Sequence, residues 1–350
     1  MQKLLDKNKD KWRKNAIGET QKYIDGLVER ATTRELDWGV EVPVKGYENK
    51  RIYVWIEAVL GYLSTADKVL RERGLNPDDV LSDNNQNLRV YMVHGKDNIP
   101  FHTTIFPALE LAIGDNYRLP DYIISSAYVN LNNEKMSKSK GNLISVNELL
   151  ELFNKDTLRF YFIFNGPEVK DISCSIEEMI TVHNKFLVGT LGNFINRNFS
   201  FINKKFEGII AEGTVDSKIK ETTLNTYKEV GELIEKGELK SALSKVMDYI
   251  SLGNKYYDEN TPWIKVKENI KEFNDITYTC TYMTVNIANL IRPFLSETSD
   301  KILNMLDISK ESNWQEKELT GNIKIVNNEL LLNRIDDEET KSIMDKLNNK

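Results

Sequence analysis

Cysteine and histidine are scarce in this sequence of 350 residues, which holds two of the first, Cys174 and Cys280, and three of the second, His94, His102 and His183. Two cysteines this far apart have no metal-type spacing, and they predict ordinary thiols in a reducing compartment. No stretch approaches the run of about 18 apolar residues that a membrane span needs. The opening Met1-Gln2-Lys3-Leu4-Leu5-Asp6-Lys7 has no apolar signal core. These absences lead us to expect a cytoplasmic chain with no membrane partner. There is no internal repeat, and no low-complexity stretch beyond the Asn/Lys-rich last few residues. A net charge of −6 argues against a protein that coats nucleic acid without selectivity. It leaves room for one that reads a single RNA through a local basic surface.

What is present is an ordinary globular composition, 40% hydrophobic and 29% charged, long enough for two domains or for one with a large helical appendage. The first 30 residues have a helical pattern. The runs Arg51-Ile52-Tyr53-Val54-Trp55-Ile56, Leu88-Arg89-Val90-Tyr91-Met92-Val93 and Tyr122-Ile123-Ile124-Ser125-Ser126-Ala127-Tyr128-Val129 read as buried strands. Helices are predicted between them over residues 59–72 and 103–113, the second closed by Gly114. This alternation predicts a parallel α/β sheet, with ligand chemistry at the carboxyl ends of its strands. From about residue 145 the strand signals stop. Ser145-Val146-Asn147-Glu148 has capping-box spacing. Amphipathic helices dominate residues 175–308, with breaks expected at Gly237, Gly253 and Asn260-Thr261-Pro262 and a kink at Pro293. The fold class expected is α/β followed by an all-α bundle, with a charged, irregular tail from Trp314.

Chemistry concentrates in Lys135-Met136-Ser137-Lys138-Ser139. These residues read either as a solvated Lys/Ser loop or as a mobile loop presenting ammonium groups to a polyphosphate. Lysine suits the second role as a flexible point charge with three donors. Gly141 supplies freedom to such a loop, and the helix start at Ser145 lies close in sequence.

The pentapeptide matches the Lys-Met-Ser-Lys-Ser signature of class I aminoacyl-tRNA synthetases, and its neighbours resemble the methionyl-tRNA synthetase family. Arg34-Glu35-Leu36-Asp37-Trp38-Gly39 with Val42-Pro43 looks like that family's Thr-Arg-Asp-Leu-Asp-Trp-Gly strip. Tyr53-Val54-Trp55 with Gly61-Tyr62 resembles its methionine-pocket strand and turn, and Gly95-Lys96-Asp97-Asn98-Ile99-Pro100-Phe101-His102 its Gly-Lys-Asp-Asn segment. The likeness runs from about residue 10 to about residue 336 with its motifs in family order. It implies that Trp55, Ala58, Tyr62 and His102 line a methionine pocket, where a thioether packs against aromatic edges. It further implies that Gly95 and Asp97 meet the ATP ribose, with Met136 also in the ATP site. Lys135 and Lys138 would stabilise charge developing on the phosphates. ATP would enter with Mg2+ as substrate. His94 and His183 fall on no family position and read as structural, and His102 by itself also fits a satisfied core histidine.

In the helical half, Leu187, Leu191, Ile195, Phe199 and Ile202 recur at intervals of four, four, four and three, an apolar stripe. At about 100° per residue, Asn193 and Arg197 fall together on the opposite face. That face is either merely polar or a binding surface. The resemblance implies that Asn193, Arg197 and Trp263 grip the anticodon of tRNA-Met, amide and guanidinium reading base edges and indole stacking. It implies the domains too. Residues 1–144 would be the C-terminal half of a Rossmann-type catalytic domain, 145–174 a connection, 175–335 the anticodon-binding bundle, and 336–350 a tail.

The chain departs from the family in two ways. None of its three histidines forms the His-x-Gly-His signature that opens the class I ATP site, and two lone cysteines do not make the family's zinc insertion, so no bound zinc is expected. Where the family has Asp-Ala-Pro-Ile-Gly-Tyr, this sequence reads Glu57-Ala58-Val59-Leu60-Gly61-Tyr62. Two readings stay open. The chain is one part of a methionine–tRNA ligase, completed by a complementary N-terminal chain, or it is a non-catalytic paralogue that binds tRNA or a small molecule.

Overall fold

The computed structural model describes residues 1–114, 116–136, 143–310 and 313–348. The chain forms two compact units, Met1–Tyr128 with Pro167–Asp171, and Val129–Gly166 with Ile172–Lys350. It therefore passes from one unit to the other three times.

The first unit opens with helices α1 (Gln2–Lys7) and α2 (Lys14–Asp25), then the short antiparallel pair β1 (Thr33–Glu35) and β2 (Lys50–Ile52). Here the structure corrects the sequence reading. Only Lys50–Ile52 is strand, and a long helix, α3 (Val54–Glu72), starts after the extended Tyr53. Six residues of β-forming type cannot separate strand from helix by composition. The recurrence of Trp55, Val59 and Tyr62 at spacings of four and three is the helical signal that decides it. A short helix α4 (Pro77–Val80) follows. Strand β3 (Tyr91–Gly95) then leads through a 3-10 turn, Lys96–Asn98, and a wide π turn, Phe101–Ile105, into α5 (Phe106–Ile113). Gly114 closes α5 with φ 81, a left-handed value that glycine reaches without strain. Strand β4 (Tyr122–Ser126) pairs in parallel with β3 in the register Tyr91 to Tyr122 through Gly95 to Ser126.

A small core of Leu4, Leu5, Trp12, Ala16, Ile99 and Ile123 fills this unit. Polar ties fix its parts. Arg13 Nη1 donates to Ser125 O at 3.0 Å, and Thr20 Oγ1 donates to Thr103 Oγ1 at 2.9 Å, which joins α2 to β4 and to the wide turn. Glu168 of the returning segment lies 3.4 Å from Arg13, and Pro167 O accepts from Ala127 N.

The second unit begins with the hairpin β5 (Val129–Leu131) and β6 (Glu134–Lys135). Its turn residues Asn132 and Asn133 both have positive φ, 49 and 66, as a tight two-residue hairpin requires. Helices α6 (Val146–Leu152) and α7 (Lys155–Phe164) precede β7 (Ile172–Cys174), which lies parallel to β5. The expected capping box is formed, Ser145 Oγ accepting from Glu148 N and Glu148 Oε2 from Ser145 N.

The bundle follows as α8 (Ile176–Val182), a wide π segment (His183–Gly192), α9 (Asn193–Phe206), α10 (Ser217–Glu235), α11 (Leu239–Asn260), α12 (Pro262–Glu268), α13 (Ile270–Ile291), α14 (Ser296–Met305) and α15 (Asp337–Asn348). A two-residue pair, β8 (Ile209–Ile210) with β9 (Ile323–Lys324), adds to it. The stripe Leu187, Leu191, Ile195, Phe199 and Ile202 is buried as expected.

Two predicted interruptions are corrected. Gly253 sits inside α11, where its missing side chain admits the ring of Phe194, and Pro293 follows the end of α13 instead of kinking it. The break at Thr261, with φ 44, is real. The tail is also better ordered than its composition suggests. Trp314 Nε1 donates to Tyr227 O, while Asn286 accepts from Lys317 N and donates to Lys317 O.

Candidate functional site

In the first unit the helical spacing of α3 sets Trp55, Ala58 and Tyr62 three and four residues apart, hence on one face. That face meets the π turn. The Trp55 ring stacks on Phe101 with centroids 3.9 Å apart, and Tyr62 meets Phe106 edge-on at 5.8 Å. His102, 4% exposed, bonds through Nδ1 to Asn98 O at 2.8 Å and through Nε2 to Tyr62 Oη at 3.0 Å. A carbonyl only accepts, so Nδ1 carries the proton and neutral Nε2 accepts from the Tyr62 hydroxyl. Burial lowers the pKa of His102, which keeps this tautomer uncharged. Val59, at the family's proline position, is 1% exposed.

His94, read from sequence as structural, stacks on His102 with ring centroids 4.4 Å apart. Burial pushes its pKa down to about 4, against the opposing hydrogen bond from Nδ1 to Gly95 O. Strand alternation could have found it, because Met92 and His94 share one face of β3.

At the carboxyl end of β3, Gly95 and Asp97 lie where parallel-sheet geometry puts ligands. Asp97 helps line a cavity of about 730 Å³ with Asn15, Glu19, Lys96, Lys170 and Asp171. Lys96 Nζ is 2.7 Å from Asp171 Oδ1, and Tyr128 Oη donates to Asp97 Oδ1. Lys96, Asp171 and Tyr128 were absent from the predicted set. Their contacts join positions distant in sequence, and no local pattern reports them. A second cavity of about 760 Å³, bordered by Leu4, Asn8, Glu110 and Arg118, contains none of the predicted residues.

In the second unit Lys135 ends β6 with its side chain exposed, and Met136 packs partly buried against the main core. Lys138, with Ser137 and Ser139, lies outside the described residues.

The same unit brings Asn193, Arg197 and Trp263 into one neighbourhood. The Arg197 guanidinium lies 4.7 Å over the Tyr257 ring and 6.0 Å from the centre of Trp263, and pairs with Asp258 at 2.5 Å. Asn193 Nδ2 donates to Asn254 Oδ1 at 2.9 Å. Trp263 is 40% exposed, far from the burial expected of a core indole. His183 bonds Thr157 Oγ1 and Asn333 O inside the bundle, as a structural histidine does.

Two family models match the chain, one after the other. The family "tRNA synthetases class I (M)" matches residues 1–199, and "Anticodon binding domain of methionyl tRNA ligase" matches residues 210–349. Methionine–tRNA ligase 1 of Alkaliphilus oremlandii is 41% identical over 96% of this chain and 62% of its own length. Methionine–tRNA ligase of Bacillus cereus is 39% identical over 98% of this chain and 62% of its own. The structure of Mycobacterium tuberculosis methionyl-tRNA synthetase in complex with methionyl-adenylate superposes with a TM-score of 0.75 at 25% identity, covering 88% of this chain and 61% of that one. The chain thus spans about three fifths of the length of these relatives. The fold is accordingly a class I synthetase catalytic domain with its parallel sheet, followed by a helical anticodon-binding domain. With the first family matching more than half of its residues, the chain belongs to the methionyl group of class I tRNA synthetases.

Proposed function

We propose that this chain supplies the amino-acid pocket, the ribose side of the nucleotide site, the lysine loop and the anticodon surface of a methionine–tRNA ligase. The observation that carries this is the convergence of Trp55, Tyr62 and His102, where aromatic edges suit a thioether side chain. In this reading the methionine carboxylate attacks the α-phosphate of ATP. A carboxyl–phosphate bond forms and pyrophosphate leaves; a tRNA-Met hydroxyl then attacks the acyl carbon, an ester forms, the carboxyl–phosphate bond breaks and AMP leaves. Lys135 and Lys138 act by electrostatics on the phosphate oxygens and move no proton. Asp97 takes the ribose hydroxyls, and Mg2+ arrives with ATP as part of the substrate. Residues 1–144 serve as catalytic part, 145–174 as connection and 175–335 as tRNA-binding bundle, with 336–350 as tail. The wall of the cleft that carries the family's His-x-Gly-His signature comes from a complementary portion of the synthetase.

The experiment is methionine-dependent ATP–pyrophosphate exchange, measured with this chain by itself and with the complementary portion co-expressed. Exchange is expected only in the second case. No exchange in either case would favour the other reading, a tRNA-binding paralogue, which the placement of Asn193, Arg197 and Trp263 within one unit also suits. A gel shift with tRNA-Met tests the surface common to both. Trp263→Ala should weaken binding about 5- to 150-fold, the range of losing one base–aromatic stack. Unchanged binding would remove the anticodon assignment.

A further inference from the structure

We infer that Tyr128 is a positioning residue for the nucleotide ribose, acting through Asp97; the inference rests on the reading of Asp97 as the ribose partner. Asp97 stands in the 3-10 turn after β3 with its side chain exposed. An exposed carboxylate turns freely, and an acceptor that must be immobilised on binding forfeits part of what two sugar hydroxyls contribute. Tyr128, two residues beyond β4, removes that freedom by donating its hydroxyl to Asp97 Oδ1.

The tyrosine is itself held at several points. Its backbone N–H donates to Asp171 Oδ1 at 2.9 Å, and Lys96 Nζ lies 4.0 Å over its ring while reaching the same Asp171 oxygen at 2.7 Å. Lys96 and Asp97 are chain neighbours, so one tyrosine meets both, the cation on its face and the anion on its hydroxyl. Lys96, Asp97 and Asp171 all line the cavity of about 730 Å³, so the frame borders a space able to hold a ligand. One phenol does not exhaust the carboxylate. An ionised carboxyl group has about four lone-pair directions, and a vicinal diol needs two. Tyr128 therefore orients Asp97 without competing with the sugar.

The test is exchange kinetics of the synthetase assembled from this chain and its complementary portion. Tyr128→Phe keeps the ring under Lys96 and deletes the hydroxyl. It should raise the KM for ATP about three- to tenfold, the range of one ordinary hydrogen bond lost, and leave the KM for methionine unchanged. In an Asp97→Ala background the same substitution should add nothing. Asp171→Asn, which loosens the tyrosine from its other side, should shift the ATP KM in the same direction, and it serves as the second variant should Tyr128→Phe fold poorly. An unchanged ATP KM in Tyr128→Phe, with a raised one in Asp97→Ala, overturns the inference and spares the ribose assignment. Equal effects in both backgrounds also overturn it, by showing a purely structural role. If Asp97→Ala leaves ATP use intact, or the wild-type assembly shows no exchange, the underlying reading falls and the inference with it.

Discussion

Glu110 carries a carboxyl group that is 3% exposed, and its Oε2 has no hydrogen-bond partner among the described residues. Burial pushes its pKa from 4.5 up to about 8. Between those values the folded chain keeps a proton that the unfolded chain has released, so stability falls as pH rises through this window and levels off above it. Urea midpoints at pH 6 and pH 8 should show that decline in the wild type and a smaller one in Glu110→Gln; identical slopes would show that burial does not set this group's proton affinity. Tyr62 offers a comparable single-atom test. Tyr62→Phe leaves the buried Nε2 of His102 without its donor, and the assembled synthetase should need about three- to tenfold more methionine, with ATP use unaffected. A shift in the ATP KM instead would place Tyr62 outside the amino-acid pocket.

At the scale of the element, α11 depends on what Gly253 lacks. A Cβ there would stand 2.8 Å from the ring of Phe194, which is 1% exposed. Gly253→Ala gains about 1 kcal/mol of helix propensity, yet overpacking costs about 1–3 kcal/mol, so a lower denaturation midpoint is expected. A higher one would mean that the two helices separate easily. Helix α13 poses a different problem, being buried at every position from Ile276 to Ile291 although many of its residues are polar. Thr277, Thr281 and Thr284 return their hydroxyls to the carbonyls of Phe273, Thr277 and Cys280, and Asn286 clamps Lys317 through two backbone bonds. Asn286→Leu should release residues 313–317, read as faster proteolysis of that stretch with the helical signal retained; unchanged cleavage would mean that Trp314 and Asn289 hold it without help.

These elements also show what was legible in the sequence. Asn193 and Arg197 could be set on one face because the helical period is regular and the opposite stripe is apolar. The Ser145 cap was readable from four consecutive residues. Trp55, Tyr62 and His102 emerged only through family likeness, since Arg51 to Ile56 has strand composition and gave the wrong local structure. The contacts of His94, Tyr128 and Asp171 reach across the fold, and no window of neighbouring residues contains them.

On the scale of the molecule, the two units differ in how much apolar surface they bury. The connected core cluster of the first has six residues, with Val59, Phe106 and Ile124 buried beside it, whereas the second holds a continuous core from Leu131 to Ile343. Leu36, Trp38, Val40, Val44 and Val93 are exposed in the first, Val93 by 71%. Burial is the main source of stability, so the first unit should open at lower urea than the second. Hydrogen exchange should find β3 and β4 less protected than α13; equal protection would mean a single cooperative transition. The three passages of the chain between units bear on how the protein can be divided. A cut after Tyr128 does not yield the first unit intact, because Pro167–Asp171 goes with the other fragment and takes along Glu168 and Asp171, the carboxylates that pair with Arg13 and Lys96. Genetic recombination at that one boundary would mismatch a five-residue strap, so a chimera that swaps these units between related synthetases needs its crossovers on both sides of residues 167–171.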